Sequence, residues 1–194
     1  MNKFTKSVIV LYIFAGLILL FGPKSLFPGF YKPNFMAALA LVSVILICLP
    51  SVIFRTNDAI KKRAREMLQF NIAINLLING AGGLGLYRLY LIGFEYDKLT
   101  HYVTPFLLVI GFYYFLRKWQ DLTHKKALLF VTVGVLVAGF GWEVLEYLSD
   151  VLFDTQLLGG GSAQVAKDTI FDVIANILGI TTAAAYLHTK NRKK

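Results

Sequence analysis

Charge is scarce in this sequence. Only 16% of its 194 residues are Asp, Glu, Lys or Arg, whereas a soluble domain carries about a quarter. Cysteine is nearly absent as well. Cys48 stands alone in an apolar run, which excludes an intrachain disulfide and reads as a small buried apolar side chain. The familiar catalytic signatures are missing: no Gly-x-Ser-x-Gly elbow, no Gly-x-x-x-x-Gly-Lys phosphate loop and no His-Glu-x-x-His helix. No repeat, low-complexity stretch or soluble domain interrupts the chain, and no small-x-small cleavage site follows the first apolar run.

What is present is hydrophobic. Apolar residues make up 57% of the chain and the mean hydropathy is +0.62, so the sequence predicts an all-α, polytopic membrane protein. Six spans are legible: Ser7–Gly22, Asn34–Phe54, Leu68–Ile92, Leu99–Leu116, Ala127–Leu148 and Thr169–Leu187. They form one transmembrane helical domain over residues 1–194. Between them lie a Pro- and aromatic-rich loop (Pro23–Pro33), a polar connection Arg55–Glu66, short loops at Gly93–Lys98 and Arg117–Lys126, and a glycine loop around Gly159–Gly161.

The net charge of +9 does not mark a nucleic-acid protein, because the basic residues occur in short clusters between apolar runs. Fifteen of the 20 fall on one side: Lys3 and Lys6, Arg55 to Arg65, Arg117 to Lys126, and Lys190 to Lys194. The positive-inside rule therefore places both termini in the cytoplasm. His124 and His188 fall in these basic inner segments and read as surface residues.

The acids show the converse bias, and most are grouped. Between Gly141 and Gly179 stand Glu143, Glu146, Asp150, Asp154, Asp168 and Asp172. At 100° per residue, Glu143, Glu146 and Asp150 fall within ~60° of one another, and Asp168, Asp172 and Asn176 within ~80°. Asp97 and His101 are four apart and share a face of the fourth span. Acids inside apolar segments are costly and normally face a protein interior or a watery cavity. The orientation puts all these groups in one layer at outer-leaflet depth. Asn71, Asn75 and Asn79 form a second polar stripe, read as interhelical hydrogen-bond partners, and the glycines from Gly80 to Gly85 allow close approach or a break in that helix.

Several chemistries suit the acid layer. Carboxylates with an imidazole and an amide can hold a divalent metal ion, which in turn can clamp a lipid phosphate and activate water. The same acids can relay protons or bind a cation in a transporter. Arg88, Lys98 and Lys167 offer direct binding of a lipid phosphate headgroup. The plainest alternative is an acid–base network that joins helix ends. Membrane lipids are the expected surroundings under every reading.

Three blocks, YDKLTHYVTPF, GWEVLEYL and KDTIFDVIANILG, resemble the signature blocks of the YjdF-type bacterial inner-membrane proteins. More distantly they resemble the VanZ-like family, which has an Asp-Lys-x-x-His block, a Glu-containing block and an Asp-x-x-x-Asn-x-x-Gly block. The resemblance covers Tyr96 to Gly179. It implies a small multi-spanning protein of the bacterial cytoplasmic membrane and, through the VanZ-like relatives, an association with glycopeptide resistance and the cell envelope. The positions it carries over are Asp97, Lys98, His101, Glu143, Glu146, Asp168, Asp172 and Asn176. The chain departs from these relatives at Glu146, where VanZ-like chains more often have Gln, and at Lys167, where YjdF-type chains often have Trp.

Overall fold

A computed structural model of the chain describes residues 1–23, 25, 32–153 and 162–192. Phe27, Phe30 and Tyr31 of the aromatic loop, Asp154 and the glycines 159–161 lie outside the described residues. The described chain is helical, with α1 Lys3–Phe21, α2 Pro33–Ile53, α3 Ala59–Gly83, α4 Tyr96–Trp119, α5 His124–Phe153 and α6 Ser162–Arg192, and a 3₁₀ segment, Leu86–Ile92, between α3 and α4. Among the described residues five helices are long and apolar enough to cross a membrane, and six if α3 and the 3₁₀ segment count as one span. At 1.5 Å per residue even the 19-residue α1 reaches about 29 Å, close to the thickness of a hydrocarbon core.

The helices extend beyond the spans that hydropathy marks. Asp58 caps α3 by accepting the Lys61 N–H at 2.8 Å, so most of the polar stretch expected to be a connection is helix. α4 begins at Tyr96, which places Asp97 and Lys98 in its first turn rather than in a loop. α6 begins at Ser162, so Asp168 also lies within a helix. Hydropathy reports the part of a helix that crosses lipid, while backbone hydrogen bonding continues into the polar layer.

The third span is broken. α3 and the 3₁₀ segment meet at 51°, and the segment is bracketed by Gly85 (φ +129°) and Gly93 (φ +82°), backbone conformations that favour glycine.

α4 is the hub of the bundle, packed on α3, α5, α6 and the 3₁₀ segment, whereas α1 and α2 contact only each other and α3 among the described residues. The tightest approach is between α4 and α6, where Gly179 faces the Tyr102 carbonyl so closely that a Cβ would overlap it. The asparagine stripe fastens α3 to α4. Asn71 Nδ2 donates to the Leu107 carbonyl at 2.8 Å and Asn79 Nδ2 to Thr104 Oγ1 at 3.1 Å, while Asn75 bonds back to Asn71 within its own helix. An apolar cluster including Val109, Val131, Val135, Ile180 and Leu187 fills the half of α4–α6 nearer the basic ends. Large apolar side chains such as Phe21, Val137 and Leu152 point outward, the surface of a protein solvated by lipid.

Candidate functional site

The first two turns of α4, the C-terminal half of α5 and the N-terminal half of α6 converge. α4 brings Asp97, Lys98 and His101 on adjacent turns; α6 brings Asp168, Asp172 and Asn176; α5 brings Glu143 and Glu146. Small residues make this possible, since Gly179 lets α6 lie against α4 one turn below Asn176, and Gly139 leaves room for the Asn176 amide against α5.

The cluster is layered by depth. Asp97 and Asp168 form its rim, with side chains 36% and 35% exposed. Lys98 lies just inside and is shared among three aspartates. Its Nζ is 2.5 Å from Asp168 Oδ1, 2.6 Å from Asp172 Oδ1 and 3.2 Å from Asp97 Oδ2. Three acceptors match the three donors of an ammonium group.

Below Lys98 is the imidazole of His101, buried and surrounded by acids. His101 Nε2 is 3.7 Å from Asp97 Oδ1 and 3.8 Å from Asp172 Oδ1; Nδ1 is 3.7 Å from Glu143 Oε1 and 3.4 Å from Asn176 Nδ2. The carboxylate separations exceed hydrogen-bond length. Glu143 is the more buried of the two α5 acids, 8% exposed, and neither of its oxygens has a hydrogen-bond partner among the described residues. Glu146, one turn along α5, accepts from Trp142 Nε1 at 2.8 Å.

Two groups of side chains have ligand atoms close enough to share an ion: Asp97, His101 and Asp172, and His101, Glu143 and Glu146, each within 4.8 Å of one another. In the first group Lys98 already bonds Asp172. Two ligand atoms ~2.1 Å from a tetrahedral ion stand ~3.4 Å apart, so the 3.7 Å between His101 Nδ1 and Glu143 Oε1 is near the spacing that an ion would bridge.

The structure thus brings together Asp97, Lys98, His101, Glu143, Glu146, Asp168, Asp172 and Asn176. Lys167 is exposed on α6, its Nζ 6.0 Å over the Phe171 ring, and Arg88 is exposed on the 3₁₀ segment. Two participants were not singled out from sequence. Trp142 is one, although its i,i+4 spacing to Glu146 within GWEVLEYL was a readable signal. Tyr87 is the other: its hydroxyl lies 3.5 Å from Asn79 Oδ1 and its ring meets Tyr96 edge-on, beside the first turn of α4; the break after α3 hid that placement.

His124 departs from its expected role as a surface residue. It opens α5 half-buried, its Nδ1 is 2.8 Å from the Tyr113 hydroxyl and its ring lies 6.0 Å from that of His188, which is exposed. The cause is the short connection from α4, which folds the first turn of α5 back against Tyr113.

The chain matches no curated protein and no solved structure. It does match a family model, described as predicted membrane protein (DUF2238), over residues 4–193. This is the YjdF-type family of the three sequence blocks, and the match extends well beyond those blocks to nearly the whole chain. The VanZ-like likeness finds no support in these comparisons. The chain belongs to the DUF2238 family of predicted membrane proteins.

Proposed function

We propose that this is a multi-pass protein of the bacterial cytoplasmic membrane, a single transmembrane domain whose buried cluster binds a divalent metal ion through His101, Glu143 and Glu146 at outer-leaflet depth. The observation that carries the reading is Glu143, a carboxylate 8% exposed with no hydrogen-bond donor on either oxygen among the described residues. A buried carboxylate without a donor loses its hydration and gains nothing in return, and an ion bridging it to His101 removes that deficit.

Charge supports the same reading. Five carboxylates gather around one lysine and one imidazole, so Lys98 and even a protonated His101 balance at most two of the five charges. In a membrane interior such an excess is expensive, and a divalent ion offsets two more. The donor set of one imidazole with carboxylates suits Zn²⁺, Mn²⁺ or Fe²⁺ better than Ca²⁺, which prefers all-oxygen coordination. A metal here would act as a Lewis acid towards a phosphate oxygen of a membrane lipid. Lys98 is committed to three aspartates, so a phosphate would be recognised through the metal rather than through that lysine. A transport reading is less favoured, since the apolar cluster around Val109, Val131 and Ile180 lies across the bundle below the carboxylates.

The test is metal analysis of the purified protein, followed by titration with Mn²⁺ and Zn²⁺, for the parent and for Glu143→Gln. The variant should insert and melt like the parent yet bind metal at least 10- to 100-fold more weakly, the range seen even for outer-shell changes. Unchanged metal affinity in Glu143→Gln would remove this carboxylate from the site. A parent that binds neither ion would leave the cluster as an ion-pair network.

A further inference from the structure

The basic end of the bundle holds a second polar feature. Between the C-terminal turns of α4 and α6 lies a cleft of about 120 Å³, lined by Tyr114, Arg117, Lys118, Lys190 and Asn191, with the buried Leu187 towards the core. One water needs only ~10–15 Å³, so the cleft admits a group larger than a solvent molecule.

Among the described residues its lining contains three cations and no carboxylate. Two of the cations are held in place. Lys190 Nζ lies 5.6 Å over the Tyr114 ring and 5.4 Å over the Tyr186 ring, and donates to the Tyr186 hydroxyl at 3.2 Å. Arg117 Nη1 donates to the Leu122 carbonyl at 2.7 Å, which orients a guanidinium with most of its five donors to spare. Basic residues near helix C-termini often serve only to offset the helix dipole. Here two such ends contribute about −0.5 each, roughly one charge against three, so the cleft stays positive by about two.

Its depth suggests the source of the ligand. Arg117 follows Asp97 by 20 residues in one helix, about 30 Å along the axis, the thickness of the hydrocarbon core. With the carboxylate cluster at one face, the cleft sits at headgroup level on the other, the side that the lysine and arginine bias assigns to the cytoplasm.

We propose that this cleft binds a phosphate group, with Arg117 and Lys190 holding its oxygens and Lys118 adding charge, and that an anionic phospholipid of the inner leaflet supplies it. Basic pockets between helices on the cytoplasmic side suit such headgroups. The site is separate in place and charge from the His–carboxylate cluster and does not depend on a metal there.

The experiment follows thermal unfolding of the delipidated protein in detergent during titration with short-chain phosphatidylglycerol, short-chain phosphatidylcholine or inorganic phosphate. Phosphatidylglycerol should raise Tm saturably and phosphatidylcholine should not. Inorganic phosphate acting at the same concentrations, with no advantage for the lipid, would assign the site to a soluble phosphate and overturn the lipid source. Arg117→Gln with Lys190→Gln should weaken phosphatidylglycerol binding roughly 30-fold, at about fivefold per charge. Arg117→Lys with Lys190→Arg should retain binding, which controls for misfolding. Lys125→Gln with Lys126→Gln removes the same charge outside the cleft and should leave affinity unchanged. Equal weakening in the 125/126 and 117/190 pairs would reduce the effect to general surface charge and overturn the proposal.

Discussion

Lys98 and His101 approach the same oxygen from two sides. Asp172 Oδ1 lies 2.6 Å from the ammonium and 3.8 Å from the imidazole. The lysine holds this oxygen in a direct charge-assisted bond and the histidine stands off. Lys98 therefore acts as the cation that lets three aspartates share one corner of the bundle, and His101 faces the two glutamates of α5, Glu143 and Glu146.

Replacing Lys98 by Met should be among the most damaging single changes in α4. It leaves Asp172, 6% exposed, without its strongest partner, a loss of about 3 kcal/mol for a buried pair broken on one side. Lys98→Met combined with Asp172→Asn should recover part of that loss, because the uncompensated charge is gone. Melting temperatures of the two single variants and the double variant decide it; strictly additive losses would mean that the two residues do not interact.

Gly179→Ala should destabilise the protein by about 1–3 kcal/mol, the usual range for overpacking. The added methyl meets the Tyr102 carbonyl, and backbone cannot rotate away. By contrast, a Cβ at Gly134 or Gly141 meets nothing within 4 Å, so alanine there should be neutral or mildly stabilising. Pushing α6 from α4 also parts Asp172 from Lys98, which adds to the loss of Tm. If Gly179→Ala melts like Gly134→Ala, the close approach of α4 and α6 is wrong.

The broken third span should cross the membrane once. In a Cys48→Ser background, Glu95→Cys after the 3₁₀ segment should react with an impermeant maleimide added outside intact cells, and Arg63→Cys near the start of α3 only after permeabilisation. Reporter fusions after Lys194 should read cytoplasmic. Labelling of position 95 from the cytoplasm alone would make the pair re-entrant and place the carboxylate cluster on the other face.

Asn71→Ala should cost ~1 kcal/mol and Asn75→Ala less. The first removes a bond between helices, the second bonds confined to α3, and interhelical polar contacts in membranes average well under 2 kcal/mol. Equal losses in thermal or denaturant unfolding would contradict this division.

The centres of the spans were readable because runs of some twenty apolar residues have few other uses. Their ends were not, because Asp97, Lys98 and Asp168 are polar yet helical, and hydropathy cannot separate a polar helix end from a loop. The convergence of His101, Glu143 and Asp172 was legible from i,i+4 spacing and the alternating direction of successive spans. The use of Lys98 was not: a lysine beside an aspartate reads equally as a phosphate ligand or as a counterion, and only the 2.5 Å and 2.6 Å approaches to acids 70 and 74 residues away distinguish them. The same limit concealed His124, whose partner Tyr113 lies across a turn.

The closeness of α4 and α6 also bears on how the protein is made. Lys98 enters with α4, but Asp168 and Asp172 arrive only with α6, and the ends of the two helices, Trp119 and Arg192, are separated by 73 residues of synthesis. At 5–20 residues per second this is a wait of roughly 4–15 s. During it the ammonium has Asp97, its chain neighbour, as the only carboxylate of its final set already present. For those seconds α4 sits at the membrane with an unfinished polar face, and factors that shelter or degrade incompletely assembled helices have their best opportunity to recognise the nascent chain.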